Sequence, residues 1–476
     1  MSMASGIPPV VQGDAALDAV VGLVTAGQFR AADARIDAAL KQPGLPADVR
    51  TAFEFQRVRM RRMRLDFSLG AAQLQADVRK QVPSMTAAQF ARWRADDLFE
   101  HMYIDGKLRY FNRAPSNLFH LSASAQALRK GQPAADSSGL PQAVNNSYMA
   151  YDRKVIAAAR ATGKTSVLPQ RVQVTQTVTV DAGAVPAGKL VRAWIPYPRD
   201  DPGQQADIRL VASTPARHRI APKSALQRTV FLEQPARAGK PTVFSITYRV
   251  TLYAQYHPVD SAKVIATKIT PALAPYVAER APNVVFTEPL RVFSRQVVRG
   301  ATNPYQIARR IYAAVDEIPW AGAREYSTIP DISAYTLAAG HGDCGEQTLL
   351  LITLMRMNGI PARWQSGWTF TRGDYSDIHD WAEIYLAPYG WIPVDVTYGR
   401  FQTEDPALRW FYFGGLDNFR IAFNDGFSQP FVPAKQFFRS DTVDSQRGEV
   451  EWDGGNLYYN KWHYAFAWKI LPPAKG

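Results

Sequence analysis

The chain reads as an α+β protein in which a helical start, a β region and a mixed core follow one another. Three observations lead there. Between about residues 14 and 130 apolar side chains recur at three- and four-residue steps, the signature of helices with one buried face. From about residue 168 the period changes to two, with β-branched runs separated by Gly, Pro and Asp clusters. Beyond residue 303 helix and strand patterns alternate, and the last seventy residues are aromatic, turn-rich and read as β and irregular.

The first region carries helical patterns at 15–26, 31–40 and 49–65, punctuated by Pro43, Pro46 and Pro83. Another helix is predicted to start at Thr86, a suitable N-cap. Residues 131–147 read as a linker. Strands are predicted around 172–178, 190–196 and 243–253, enough for a small β-sandwich. A helix over 303–317 has Asn303 as cap, Pro304 in its first turn and the stripe Ile307, Ile311 and Val315. A buried helix follows Cys344 and ends at Asn358-Gly359, and strands are predicted at 364–370, 380–386 and 391–396. The expected domains are a helical unit at 10–130, a linker and helix at 131–165, a β-sandwich at 166–262, and a mixed domain with its aromatic-rich extension at 263–476. No fixed-period repeat marks a solenoid.

Composition narrows the function classes. A 46% hydrophobic and 20% charged chain is globular, and no run of eighteen apolar residues is present to span a membrane. The net charge of +13 favours anionic partners such as cell-envelope material. The dense run Arg57, Arg59, Arg61, Arg62 and Arg64 is expected to be a solvated helix face, and no nucleic-acid-binding motif accompanies it. Ala161-Thr162-Gly163-Lys164-Thr165 ends like a phosphate loop. However, Ala158 stands where the first glycine belongs and no apolar strand precedes it, so nucleotide binding is not expected. His101, His120, His218, His257 and His463 lack ligand spacing, and no metal or other cofactor is expected.

Chemistry concentrates around the single cysteine. His341-Gly342-Asp343-Cys344-Gly345-Glu346 leads into an apolar helix. A thiol at a helix N-terminus meets the positive end of the dipole, which favours the thiolate. His379 opens a strand and Asp395 ends the next, joined through Ala387-Pro388-Tyr389-Gly390. A hairpin centred near Pro388 puts both on one face as diagonal neighbours, about 7–8 Å apart at the backbone. An acid so placed orients an imidazole and stabilises its charged form.

At this point the chain resembles the bacterial transglutaminase-like superfamily. The matching blocks are 342–346, Leu354-Met355-Arg356-Met357-Asn358-Gly359-Ile360-Pro361-Ala362-Arg363, His379-Asp380-Trp381-Ala382-Glu383-Ile384-Tyr385 and Gly390-Trp391-Ile392-Pro393-Val394-Asp395. The resemblance is firm over about 300–400 and looser over 170–300. It implies a papain-like core with Cys344 as nucleophile, His379 as base and Asp395 as third member. It also implies a first oxyanion donor at the Cys344 backbone N–H. The second donor stays open between Trp320, Tyr326 and Tyr335; no motif chooses between them, and each reads first as a packing aromatic. Glu346 caps the helix or shapes the mouth of the site. Asp380 stands where the family usually has alanine, adding a carboxylate that can act on the base or meet a cationic substrate group.

The expected activity is thiol-dependent hydrolysis of an amide or peptide bond in a peptide or protein substrate. Cross-linking transfer as a protein-glutamine gamma-glutamyltransferase uses the same residues, and a binding scaffold that has lost catalysis is the third reading. The expected compartment is the periplasm or the exterior, with the cytoplasm as the alternative. The first thirty residues lack a charged start and compact apolar core, and Met1–Gly6 reads as a trimmed start from which an export signal has been removed. A chain with one cysteine has no spare thiol to misoxidise.

Overall fold

The computed structural model describes residues 6–131, 142–370 and 376–472. Most of the expected linker, and the opening five residues, lie outside this range. In the helical unit, helices Ala15–Thr25, Phe29–Leu40, Ala47–Asp66, Ala71–Gln81, Ala87–Ala95, Ala114–Leu121 and Ala123–Leu128 close around their own apolar core, with Phe53, Trp93 and Leu118 inside it. Thr86 caps its helix through a capping box with Gln89. The all-helical reading missed one hairpin, His101–Ile104 with Lys107–Tyr110. Its turn is Asp105-Gly106, both at positive φ, the dipeptide that favours a tight hairpin turn.

The arginine run corrects an expectation. Arg57 pairs with exposed Asp33 and Asp37, as a solvated face should. Arg59 and Arg62 are instead buried. Arg59 donates to the Thr328 carbonyl at 3.0 Å, and Arg62 to the Arg439 and Ser440 carbonyls at 2.7 and 3.2 Å. Periodicity alone could not separate these two from their neighbours, because their partners lie more than 260 residues away.

Helix Gln142–Thr162 runs straight into strand Ser166–Val180, so the lysine-threonine pair at 164–165 follows a helix and precedes a strand, the reverse of a phosphate loop. The β-sandwich is larger than expected. In one sheet Gly415–Leu416, Thr242–Tyr256, Ser166–Val180 and Trp462–Ile470 pair in that order, with Gln205–Thr214 also on Thr242–Tyr256. The other runs Gly455–Leu457, Glu449–Trp452, Leu190–Pro196, Thr229–Pro235 and His218–Ile220. The C-terminal part therefore completes both sheets of the sandwich instead of extending only the mixed domain. Its strands are short and locally irregular, and their partners are set by long-range pairing.

The mixed domain is built on a four-stranded antiparallel sheet in the order Gly390–Val394, Ser376–Leu386, Ala362–Phe370, Arg420–Asn424. Ala382, Ile384 and Leu386 face a core shared with helices Pro304–Asp316 and Cys344–Met357. Asn303 caps the first of these helices through the N–H groups of Tyr305 and Gln306. Every residue from Gly345 to Arg356 of the second is buried. Among the described residues no helix is long and apolar enough to cross a membrane.

Candidate active site

The start of the Cys344 helix is fixed by its cap. The Asp343 carboxylate accepts the Glu346 N–H at 3.1 Å, and Glu346 Oε2 accepts the Asp343 N–H at 3.0 Å. Glu346 thus has the capping role. Glu346 is buried and Asp343 half-buried, and desolvation pushes both carboxyls up. Tyr326 donates to Asp343 Oδ1 at 2.7 Å, sealing the first turn. Gly345 is required here: a Cβ would lie 2.0 Å from the Tyr326 hydroxyl oxygen and 2.9 Å from Asp380 Oδ2.

The predicted hairpin forms. Leu386 pairs with Gly390 and Ala382 with Val394, so His379 and Asp395 are diagonal neighbours on one face. His379 Nε2 is 2.7 Å from Asp395 Oδ2. Asp395 Oδ1 accepts the N–H groups of Thr397 and Tyr398 at 3.2 and 3.1 Å, and its carbonyl accepts the Tyr312 hydroxyl at 2.7 Å. Arg420 Nη1 donates to the same Oδ2 at 2.8 Å, and Nη2 to Asp417 at 2.7 Å. Burial alone would raise the Asp395 carboxyl, but His379 and then Arg420 outweigh it and hold the group down at about 2. The His379 ring lies on Tyr398, centroids 4.6 Å apart and planes 23° apart.

Cys344 is half-buried, and its thiol donates to Asp380 Oδ2 at 3.1 Å. The structure therefore brings together Cys344 with Asp380, and His379 with Asp395, the two pairs joined by adjacent residues of one strand. Gln446 fixes that strand by donating to the His379 carbonyl and to Asp380 Oδ1, both at 2.8 Å. Against the thiolate expected from the helix start stand burial and then the Asp380 and Asp343 carboxylates, which push the thiol up from its ordinary range.

The aromatic candidates separate. Tyr326 lies at the helix start. The Tyr335 hydroxyl instead donates to Glu100 Oε1 at 2.8 Å, and its ring lies under the Arg324 guanidinium. The Trp320 backbone runs beside Gly342, but its ring packs edge-on against His120 of the helical unit, 4.9 Å away. These contacts, with Asn117 bonding both ways to the Gly322 backbone at 2.9 Å, hold the segment before Cys344 against the helical unit. Sequence reasoning missed Arg420, Asp417, Tyr398, Asp444 and Gln446. Four of these lie in the turn-rich C-terminal part, beyond the last strand that the sequence pattern predicts.

A helix that starts at a cysteine, next to an antiparallel sheet carrying a histidine–aspartate pair, defines an α+β core. Residues 291–396 match the family model for the transglutaminase-like superfamily, and the chain carries a domain of that superfamily. Comparison with curated proteins finds no match. Among solved structures, one similar chain is a candidate cysteine protease from Cytophaga hutchinsonii, 16% identical, with a TM-score of 0.44 over 65% of this chain and 94% of that one. Another is a candidate protease from Parabacteroides distasonis, 10% identical, with a TM-score of 0.20 over 49% and 64%. Likenesses at this level carry no argument.

Proposed function

We propose that the chain is a thiol-dependent acyl-transfer enzyme that hydrolyses an amide or peptide bond in a peptide or protein substrate. Cys344 Sγ attacks the carbonyl carbon. His379 takes the thiol proton through Nδ1 and returns it to the leaving amine, and water then resolves the thioester. Asp395 orients the imidazole, and the Cys344 backbone N–H is the first oxyanion donor. The observation that supports this reading is the 2.7 Å contact from His379 Nε2 to Asp395, which makes Nδ1 the ring nitrogen that would take a proton. Incubation with a peptide library and a labelled primary amine tests it, with Cys344→Ala as control. Cleavage that vanishes in the control is expected. Abundant amine incorporation with little cleavage would assign cross-linking instead, and turnover persisting in Cys344→Ala would overturn the thiol mechanism.

A further inference from the structure

We propose that Lys435 and Asn456 join in an intramolecular isopeptide bond, a cross-link that the chain makes by itself, with Glu449 and Glu451 carrying the proton. The site lies apart from Cys344 and stands independently of the hydrolase reading.

Strand Glu449–Trp452 pairs antiparallel with Gly455–Leu457, and Glu451 lies directly opposite Asn456. Side chains two residues apart share a strand face, so Glu449, Glu451 and Asn456 are on the same side. Lys435 meets them there. Its side chain and both glutamates are 0% exposed, and Nζ stands 3.6 Å from Glu449 Oε2 and 3.6 Å from Glu451 Oε2. Nζ also donates to Asn456 Oδ1, one bond from the amide carbon. The other end of that amide is held, since Nδ2 donates to Ser440 Oγ at 3.1 Å. Backbone N–H groups fix the carboxylates. Ser440 and Asp441 donate to Glu449 at 2.9 and 2.7 Å, and Gln436 and Phe437 donate to Glu451 Oε2, each at 3.1 Å. An amine, an amide and two carboxylates are thus held together with little freedom.

Attack on an amide needs an amine with a free lone pair. Burial pushes the Lys435 ammonium down, with Glu449 and Glu451 opposing and Arg62 and Arg439 assisting, and burial pushes the Glu451 carboxyl up. Both shifts move the group toward a neutral amine beside a protonated carboxyl. Nζ then attacks Asn456 Cγ, and its surplus proton passes to a glutamate carboxylate. A carboxyl returns a proton to Nδ2, the Cγ–Nδ2 bond breaks, and ammonia leaves. One C–N bond replaces another, no electron is gained or lost, and no co-reactant is consumed. An unactivated amide hardly reacts with a free amine in solution. Fixed contact changes this, because well-oriented intramolecular groups reach effective concentrations of roughly 10⁵–10⁸ M. The product ties the loop at Lys435 to the outer strand Gly455–Leu457, 21 residues further on.

Mass spectrometry of the full chain, purified folded and then denatured, reads the bond. Relative to its sequence the wild type is expected to be lighter by one ammonia than Lys435→Arg and Asn456→Ala, neither of which can form the link. Trimming at the N-terminus or ring closure at Asn358-Gly359 would affect all three alike, so the difference isolates this site. Trypsin should yield residues 421–439, uncut at Lys435, joined to residues 448–461. The wild-type mass and this peptide pair decide the matter even if a variant does not fold. Cys344→Ala is expected to carry the same link, and its absence there would assign the bond to the thiol and overturn a self-made cross-link. A folded wild type at its full sequence mass would leave only a buried ion pair and overturn the proposal. Loss of water in place of ammonia would place the bond on a glutamate and overturn the assignment to Asn456.

Discussion

Replacing Arg420 by glutamine isolates what holds the imidazole–carboxylate pair in place. Arg420 is buried, its guanidinium 2.8 Å from Asp395 and 2.7 Å from Asp417, between the rings of Trp381, Tyr398 and Tyr412. The substitution leaves two buried carboxylates without their cation. Breaking a buried pair in this way costs about 3–5 kcal/mol. The pH dependence follows from Asp395. An unfolded aspartate titrates near 3.9 and the native group at about 2, so the difference is worth roughly 2–3 kcal/mol. Because the folded value is depressed, this stabilisation is complete above the unfolded value and is lost as pH falls through the native one. Without Arg420 the native value rises toward the unfolded one, and less stabilisation remains at neutral pH. Urea unfolding of both proteins at pH 7 and pH 4, followed by tryptophan fluorescence, reads the loss. Asp417→Asn in the same background should recover part of it, since one stranded charge is removed. A loss under about 1 kcal/mol at pH 7 would refute the reasoning, because it would mean that water or a rearranged neighbour replaces the guanidinium.

Other outcomes follow from the same contacts. Cys344→Ala should fold as the wild type does and lose all turnover, which circular dichroism and the peptide assay check together. Gly345→Ala places a methyl against Tyr326 and Asp380; an overpacking cost of about 1–3 kcal/mol is expected by thermal melting, with partial recovery in Gly345→Ala/Tyr326→Ala. Arg62→Ala should destabilise the chain by about 1–3 kcal/mol, because the Arg439 and Ser440 carbonyls lose their donor; denaturant melts that match the wild type would refute this.

Much of the site was legible because its chemistry is encoded locally. The cysteine motif includes its own cap, since Asp343 and Glu346 stand three residues apart around the helix start. The hairpin register followed from the short turn at Ala387-Pro388-Tyr389-Gly390, and with it the facing of His379 and Asp395. Helices with one apolar stripe, such as Pro304–Asp316, were legible for the same reason. The thiol's environment was not. Asp380 was visible as an unusual neighbour of the base, yet side-chain alternation along a strand argued for the opposite face. Its contact with Cys344 arises where the helix start meets the other face of that strand. The contacts of Arg420 with Asp395 and of Gln446 with the His379 strand were invisible because they join residues 25 and 66 or more positions apart.

The C-terminal part joins these observations. Trp462–Ile470 pairs with Ser166–Val180, and Glu449–Trp452 with Leu190–Pro196. Between them and the mixed domain, Arg420 reaches Asp395 and Gln446 reaches the His379 strand. Arg447 makes two bonds to Glu325, at 3.1 and 2.8 Å, beside the segment that the helical unit holds. One stretch of chain therefore closes the sandwich, bonds the Asp395 carboxylate and fixes the strand that carries His379. Deleting everything after residue 405 should remove four of the ten sandwich strands outright, at 415–416, 449–452, 455–457 and 462–470, and the sheet-edge strand Arg420–Asn424. The exposed faces include Val172, Val174, Val178 and Trp368, all fully or nearly fully buried in the intact chain. Insolubility, or a soluble product without native tryptophan fluorescence or activity, is the expected result. A truncated chain that stayed soluble and fully active would mean that neither the arginine clamp nor the shared sheets are needed to build the site.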